Sequence, residues 1–221
     1  MKSVLGKLLE IGSTPFATGA AGFGMDPLDT LGACGSALRE VLIRKNGFFC
    51  FESALRVFPA VTTASSWGLD DWNSHELWKT DYQGLADDYF CFGEDIFGVQ
   101  FCIAHDEIVI FDPESAEVRK FASTLDEWAA KILIDYNVST GYRIAHEWQK
   151  LHGPLPARHR LMPKTPFVLG GDYALANLVA IDSVRLMKNM GNLAHQIYRL
   201  ADGTKIQFKL TAPPEVRSDS Q

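Results

Sequence analysis

No run of about 18 apolar residues exists in this chain, so no segment of it reads as a membrane span. Near the start, Lys7 and Glu10 interrupt the apolar stretch that an export leader would need after Lys2, which argues against secretion. Only four cysteines occur, Cys34, Cys50, Cys91 and Cys102, and no two form a CxxC pair. They read as reduced thiols used as small hydrophobes, hence a cytoplasmic setting. Catalytic signatures are missing too. No serine sits in a GxSxG elbow, and Gly170-Gly171 lacks the GxGxxG spacing or the lysine of a phosphate-binding loop.

Positive charge is scarce in one region. Residues 70–117 hold thirteen acids against the single base Lys79, whereas residues 1–69 sum to +1 and residues 118–221 to +5. A segment of net charge −12 repels phosphates, so nucleic acid is disfavoured as its partner, while a basic protein surface would be steered towards it. Across all 221 residues, 47% hydrophobic and 22% charged side chains are ordinary for a packed globular chain.

The pattern predicts an α+β fold. Residues 28–45 carry a helical stripe that stops at Asn46-Gly47, where both residues tolerate the left-handed conformation. The aromatic stretch Phe48 to Phe58 is ambiguous between helix and strand. From Tyr89 the period becomes two. Strands are expected at 99–104, 107–111 and 117–121, joined by turns at His105-Asp106 and Asp112-Pro113-Glu114-Ser115, which makes an antiparallel meander. Thr124 and Glu127 form a capping box before the stripe Leu125, Trp128, Ala129, Ile132, Leu133 and Tyr136. A further helix is expected from Ser139 to His152, with Ile144, Trp148 and Leu151 inward. Residues 153–166, with four prolines, read as a surface linker. An apolar run at 177–181 follows, then a helix through Leu193, Ala194 and Ile197, a turn at Asp202-Gly203, and a last strand bearing Ile206, Phe208 and Leu210.

The boundaries expected are an N-terminal arm at 1–27, a main α+β domain at 28–152, a C-terminal α/β extension packed on it at 153–211, and a flexible tail at 212–221. In the main domain a mixed, largely antiparallel sheet carries the helices.

Groups able to do chemistry do not assemble into a recognisable set. His146 and His152 flank Glu147 but lie six apart, off one face of a helix, where HExxH needs four. Glu94 and Asp95 are adjacent on an extended chain and so point to opposite faces. No catalytic residue, metal ligand or cofactor site is therefore assigned. Trp67, Trp72 and Trp78 lie among acids, an arrangement suited to a hot spot for a basic partner. The expected partner-binding rim is Asp70, Asp71, Trp72, Glu76, Asp87, Asp88, Glu94 and Asp95.

The helix ending in RKNGFFCFESALRVFP, then WN, FGEDIFGVQFCI, EIVIFDPES and the capped helix TLDEWAAKIL, resembles the SUKH superfamily over roughly residues 28–136. The segment LGGDYALANLVAIDSVRLMKNMGNLAHQI is similar to the C-terminal region of some immunity proteins associated with type VI secretion. The SUKH resemblance implies helices on a mixed sheet and no catalytic residues. It also implies an immunity protein that neutralises a cognate bacterial toxin by occlusion. The acidic balance points to a toxin with a basic surface, such as a nuclease. The alternative is a regulatory or scaffolding protein with the same fold. An enzyme using His146, Glu147 or Glu94 is the remoter reading.

Overall fold

Four strands between Phe90 and Ala122 build the centre of the molecule, with bulges at Cys91/Gly93 and Ile108/Val109. The computed structural model describes residues 3–18, 26–201 and 203–204. Six strands, β1 (Phe48–Cys50), β2 (Leu55–Val57), β3 (Phe90–Glu94), β4 (Gln100–Ala104), β5 (Glu107–Phe111) and β6 (Val118–Ala122), pair in sequence order. Every pairing is antiparallel, so the fold is α+β with a purely antiparallel main sheet. The aromatic stretch that is ambiguous in sequence is the β1–β2 hairpin. Its residues 51–53 all adopt positive φ in the turn.

Side-chain alternation assigns each face a cover. Helices α1 (Val4–Ile11), α2 (Asp26–Asp29) and α3 (Gly32–Arg44) precede the sheet, and α5 (Leu125–Ile134) follows it. Between β2 and β3 lie α4 (Leu69–Asn73) and a 3₁₀ turn, Lys79–Tyr82. Phe92 and Phe101 point to one face and meet Trp128 of α5 edge-on, at 5.2 and 5.6 Å between ring centroids. On the opposite face Trp78 and Tyr82 pack on Phe111. Thr124 Oγ1 accepts the Glu127 N–H at 3.1 Å as the cap predicts. Glu127 returns to the N–H of Ser123, one residue earlier than an ideal box.

The N-terminal arm is in part a folded element. Ser3 caps α1 by accepting the Gly6 N–H, Asp126 accepts the Leu5 N–H, and Leu8 and Leu9 are buried. Residues 12–18 are also tied down. Phe16 donates to the carbonyl of Gly47 at 2.9 Å and its ring meets Phe49 edge-on.

The expected single helix at 139–152 is two, α6 (Tyr136–Thr140) and α7 (Tyr142–His152), broken at Gly141. Gly141 has φ +68°, and a Cβ there would lie 2.6 Å from both Ile96 and Phe97. Leu151, expected inward, is exposed, because α7 buries only Ala145 and Trp148 fully.

The proline-rich linker is likewise a structural element. It contains β7 (His159–Pro163), which pairs antiparallel with β8 (Leu178–Asp182). Helix α8 (Ser183–Ile197) then buries Leu186, Met187, Met190 and Leu193 in the same core as the main sheet. A smaller apolar cluster of Ile96, Trp148, Leu161 and Leu178 fastens the β7–β8 hairpin to α7. The last expected strand at 206–210 and the tail lie outside the described residues.

Strand β2 pairs only with Gly93 and Glu94, so Cys91 has no strand on its outer side. Asn73 supplies the missing partners, accepting the Cys91 N–H at 2.7 Å and donating to its carbonyl at 2.8 Å.

Candidate functional site

The expected acidic rim divides in two. Asp70, Asp71, Glu76, Asp87 and Asp88 are exposed along α4 and the segment after it. Asp71 accepts the Thr62 hydroxyl, Glu76 accepts that of Ser74 at 2.7 Å, and Asp87 lies 3.6 Å from His75. Burial and then the neighbouring Asp71 push the Asp70 carboxyl up, while the Ser74 hydroxyl holds Glu76 down. Lys79, the single base of this segment, is turned inward and only 5% exposed, donating to the Tyr89 carbonyl at 2.8 Å.

Trp72 does not belong to that rim. Its indole is fully buried against Phe58 and Trp78, and its Nε1 donates to Gln100 Oε1 at 2.8 Å. Helix α4 points Leu69 and Trp72 into the core and Asp70 and Asp71 to solvent, so adjacent residues serve opposite purposes.

Glu94 and Asp95 are also buried. Arg56, Glu94 and Gln100 stand opposite one another on β2, β3 and β4, forming one polar row on the face that α8 covers. Arg56 Nε donates to Glu94 Oε1 at 2.8 Å, Arg160 Nε of β7 lies 2.7 Å from the same oxygen, and Gln100 donates to Glu94 Oε2 at 3.1 Å. Arg56 also donates to the Ser183 hydroxyl at 2.6 Å, which joins the start of α8 to the row. Burial alone would raise the Glu94 carboxyl, but Arg56 and Arg160 override it and hold the group below its ordinary value. Burial, then repulsion from Arg56, lowers the Arg160 guanidinium to about 9. Asp95 closes the β3–β4 turn by accepting the N–H groups of Phe97 and Val99 at 2.8 and 2.9 Å. Burial nevertheless pushes its carboxyl up to about 8.

A cleft of about 810 Å³ opens beside β4–β6, where the Asp112–Glu117 turn faces the 3₁₀ turn Phe167–Leu169. Phe167 and Tyr173 stack at 3.8 Å and Phe97 meets both edge-on. Glu114 accepts the Val168 N–H at 2.8 Å, and burial raises its carboxyl. Burial, then the charges of Glu114, Asp112 and Asp95, raise the Tyr173 phenol. This aromatic trio is absent from the expected site. The signal available was Tyr173 after Gly170-Gly171, two residues beyond a loop glycine pair, but its companions lie far away in sequence.

The groups weighed as catalytic do not converge. His146 lies at the surface, 2.7 Å from Glu52 and 4.0 Å from Glu147, whereas Glu94 sits apart in the buried arginine cluster. Among the described residues no three histidine, cysteine or carboxylate groups are placed to hold a metal, and no helix is long and apolar enough to cross a membrane.

No family model and no curated protein matches this sequence. Its structure is similar to the crystal structure of Atu4351 from Agrobacterium tumefaciens. The TM-score is 0.56 and the identity 11%, over 83% of this chain and 86% of that one. At that identity the likeness shows the α+β fold alone.

Proposed function

We propose that this protein binds a partner with a basic surface, and that the partner is a bacterial toxin or secreted effector neutralised by occlusion. The observation that carries the reading is the run of exposed acids along α4 and the segment after it. Asp70, Asp71, Glu76, Asp87 and Asp88 are exposed, and the only base in that stretch of chain is buried. Concentrating like charge costs self-repulsion, which a cationic partner removes while its approach is accelerated. The SUKH-like segments supply the class of partner, and the acidity favours a nuclease, which needs its own basic surface to hold nucleic acid. The acidic cleft with Phe97, Phe167 and Tyr173 is a second place where a cationic side chain would be held.

Co-expression with the product of the neighbouring gene tests the proposal. Restored growth and co-purification of a complex that weakens with salt are expected. A neighbouring product that is not toxic, or that neither binds nor is inhibited, overturns it.

A further inference from the structure

Cys91 and Cys102 stand directly opposite each other on β3 and β4, with their sulfurs 3.2 Å apart. The backbone of Cys91 fixes which kind of pair this is. In an antiparallel strand, the N–H and C=O of one residue point to the same side. Those of Cys91 point to Asn73, away from β4. Cys91 and Cys102 are therefore a non-hydrogen-bonded pair, the type whose Cα atoms approach to about 4.5 Å and whose side chains come closest. That spacing falls within the range a disulfide spans, about 4.4–6.8 Å between Cα atoms. The other two cysteines have no such neighbour. Cys34 Sγ contacts the Asp106 carbonyl and Cys50 Sγ the Leu8 carbonyl.

We propose that Cys91 and Cys102 form a reversible cross-strand disulfide when the protein meets a hydroperoxide. The Cys91 thiolate attacks one peroxide oxygen. The O–O bond breaks, water or an alcohol leaves, and Cys91 becomes a sulfenic acid. Cys102 then attacks that sulfur, the S–O bond breaks, a second water leaves and the S–S bond forms. Two thiols lose two electrons and two protons to one peroxide.

Both sulfurs are buried, and burial followed by the adjacent Cys91 holds the Cys102 thiol well above its ordinary range, so the reaction waits on local opening. The structure provides a route. Cys91 Sγ lies 3.8 Å from the Tyr89 carbonyl, to which Lys79 donates, so reaching the sulfurs requires the 79–89 segment over this face of the sheet to lift. The linkage would staple the two central strands and hold α4, with its exposed acids, on a stiffer base.

Mass spectrometry tests this on the full chain. No lysine or arginine separates the two cysteines, so trypsin leaves both in the peptide 80–119. After hydrogen peroxide in sub-denaturing urea and then iodoacetamide, that peptide should be about 2 Da lighter than its reduced form and carry no alkyl group. Dithiothreitol should restore both sites, while Cys34 and Cys50 remain unlinked. The oxidised protein should melt about 5 °C higher. Two alkylated cysteines in the peptide after peroxide, or sulfinic acid in place of the linkage, would overturn the proposal.

Discussion

Replacing Glu94 by Gln should cost this protein far more than removing Arg160, one of the two arginines that touch it. Glu94 faces Arg56 and Arg160 together, with all three side chains 1% exposed or less. Below about pH 8 Asp95 is held in its neutral form, so the cluster contains two cations and one anion. Glu94→Gln leaves both guanidiniums buried without a counter-charge, and stripping a buried ion pair of one partner costs about 3–5 kcal/mol. Arg160→Met leaves the Arg56–Glu94 pair intact. It also removes a guanidinium whose Nη2 has no hydrogen-bond partner and whose Nη1 makes only the longer bonds to the Ser53 and His159 carbonyls, at 3.4 and 3.1 Å. An apolar replacement of similar volume should then cost about 1 kcal/mol or less. Against a total stability of about 5–15 kcal/mol, the first variant loses a large share and the second little. Urea unfolding followed by tryptophan fluorescence reports both, with m-values checked for constancy. Equal losses in the two variants would refute the charge imbalance on which this reasoning depends.

Asp95 titrates inside the fold, and the sign of its effect is set by its raised value of about 8. Between about pH 4 and pH 8 the folded state keeps a proton that the unfolded state has lost, so stability should fall as pH rises through that window. Asp95→Asn should flatten this slope in urea midpoints measured at several pH values, and an unchanged slope would exclude Asp95 as its source. Trp72→Ala should lower stability by about 3–5 kcal/mol through the cavity it leaves, read by thermal melting. A loss under about 1 kcal/mol would show that Trp72 is not packed as described. Reversing Asp87 and Asp88 to Lys should leave the melting temperature nearly unchanged but slow association with a basic partner and weaken its salt dependence, measured by surface plasmon resonance. Unchanged kinetics would place the docking surface elsewhere.

The parts of the fold legible in sequence are those written over a few residues. Strands β4 to β6 and their turns follow from alternation and Asp-Pro chemistry, and the start of α5 from Thr124 and Glu127. Strand β7 was hidden because Pro154, Pro156, Pro163 and Pro166 surround it, although only Pro163 lies in the strand, at its end, where a missing N–H does little harm. Helix α1 has the spacing Leu5, Leu8, Leu9 but runs for only two turns, too few to separate it from a loop. The rim was half legible for the same reason. Acidity is visible at each residue, but burial of Glu94 depends on Arg56 and Arg160, which reach it from β2 and from the far side of the proline-rich stretch. The burial of Trp72 is hard to read in sequence because its neighbours Asp70 and Asp71 are exposed, and one helix turn separates the two faces.

The Asn73 amide that brackets Cys91 also completes the edge of β3. Where β2 stops short, the outer side of β3 offers one free N–H and one free C=O to any extended peptide, the template from which sheets grow between molecules. Asn73 occupies both groups with a donor and an acceptor of its own, imitating a neighbouring strand with a single side chain. An incoming strand would have to displace it along with the buried indole of Trp72 beside it. A gap inside the sheet is thus filled by one side chain, so the pairing of β3 is complete although β2 ends early.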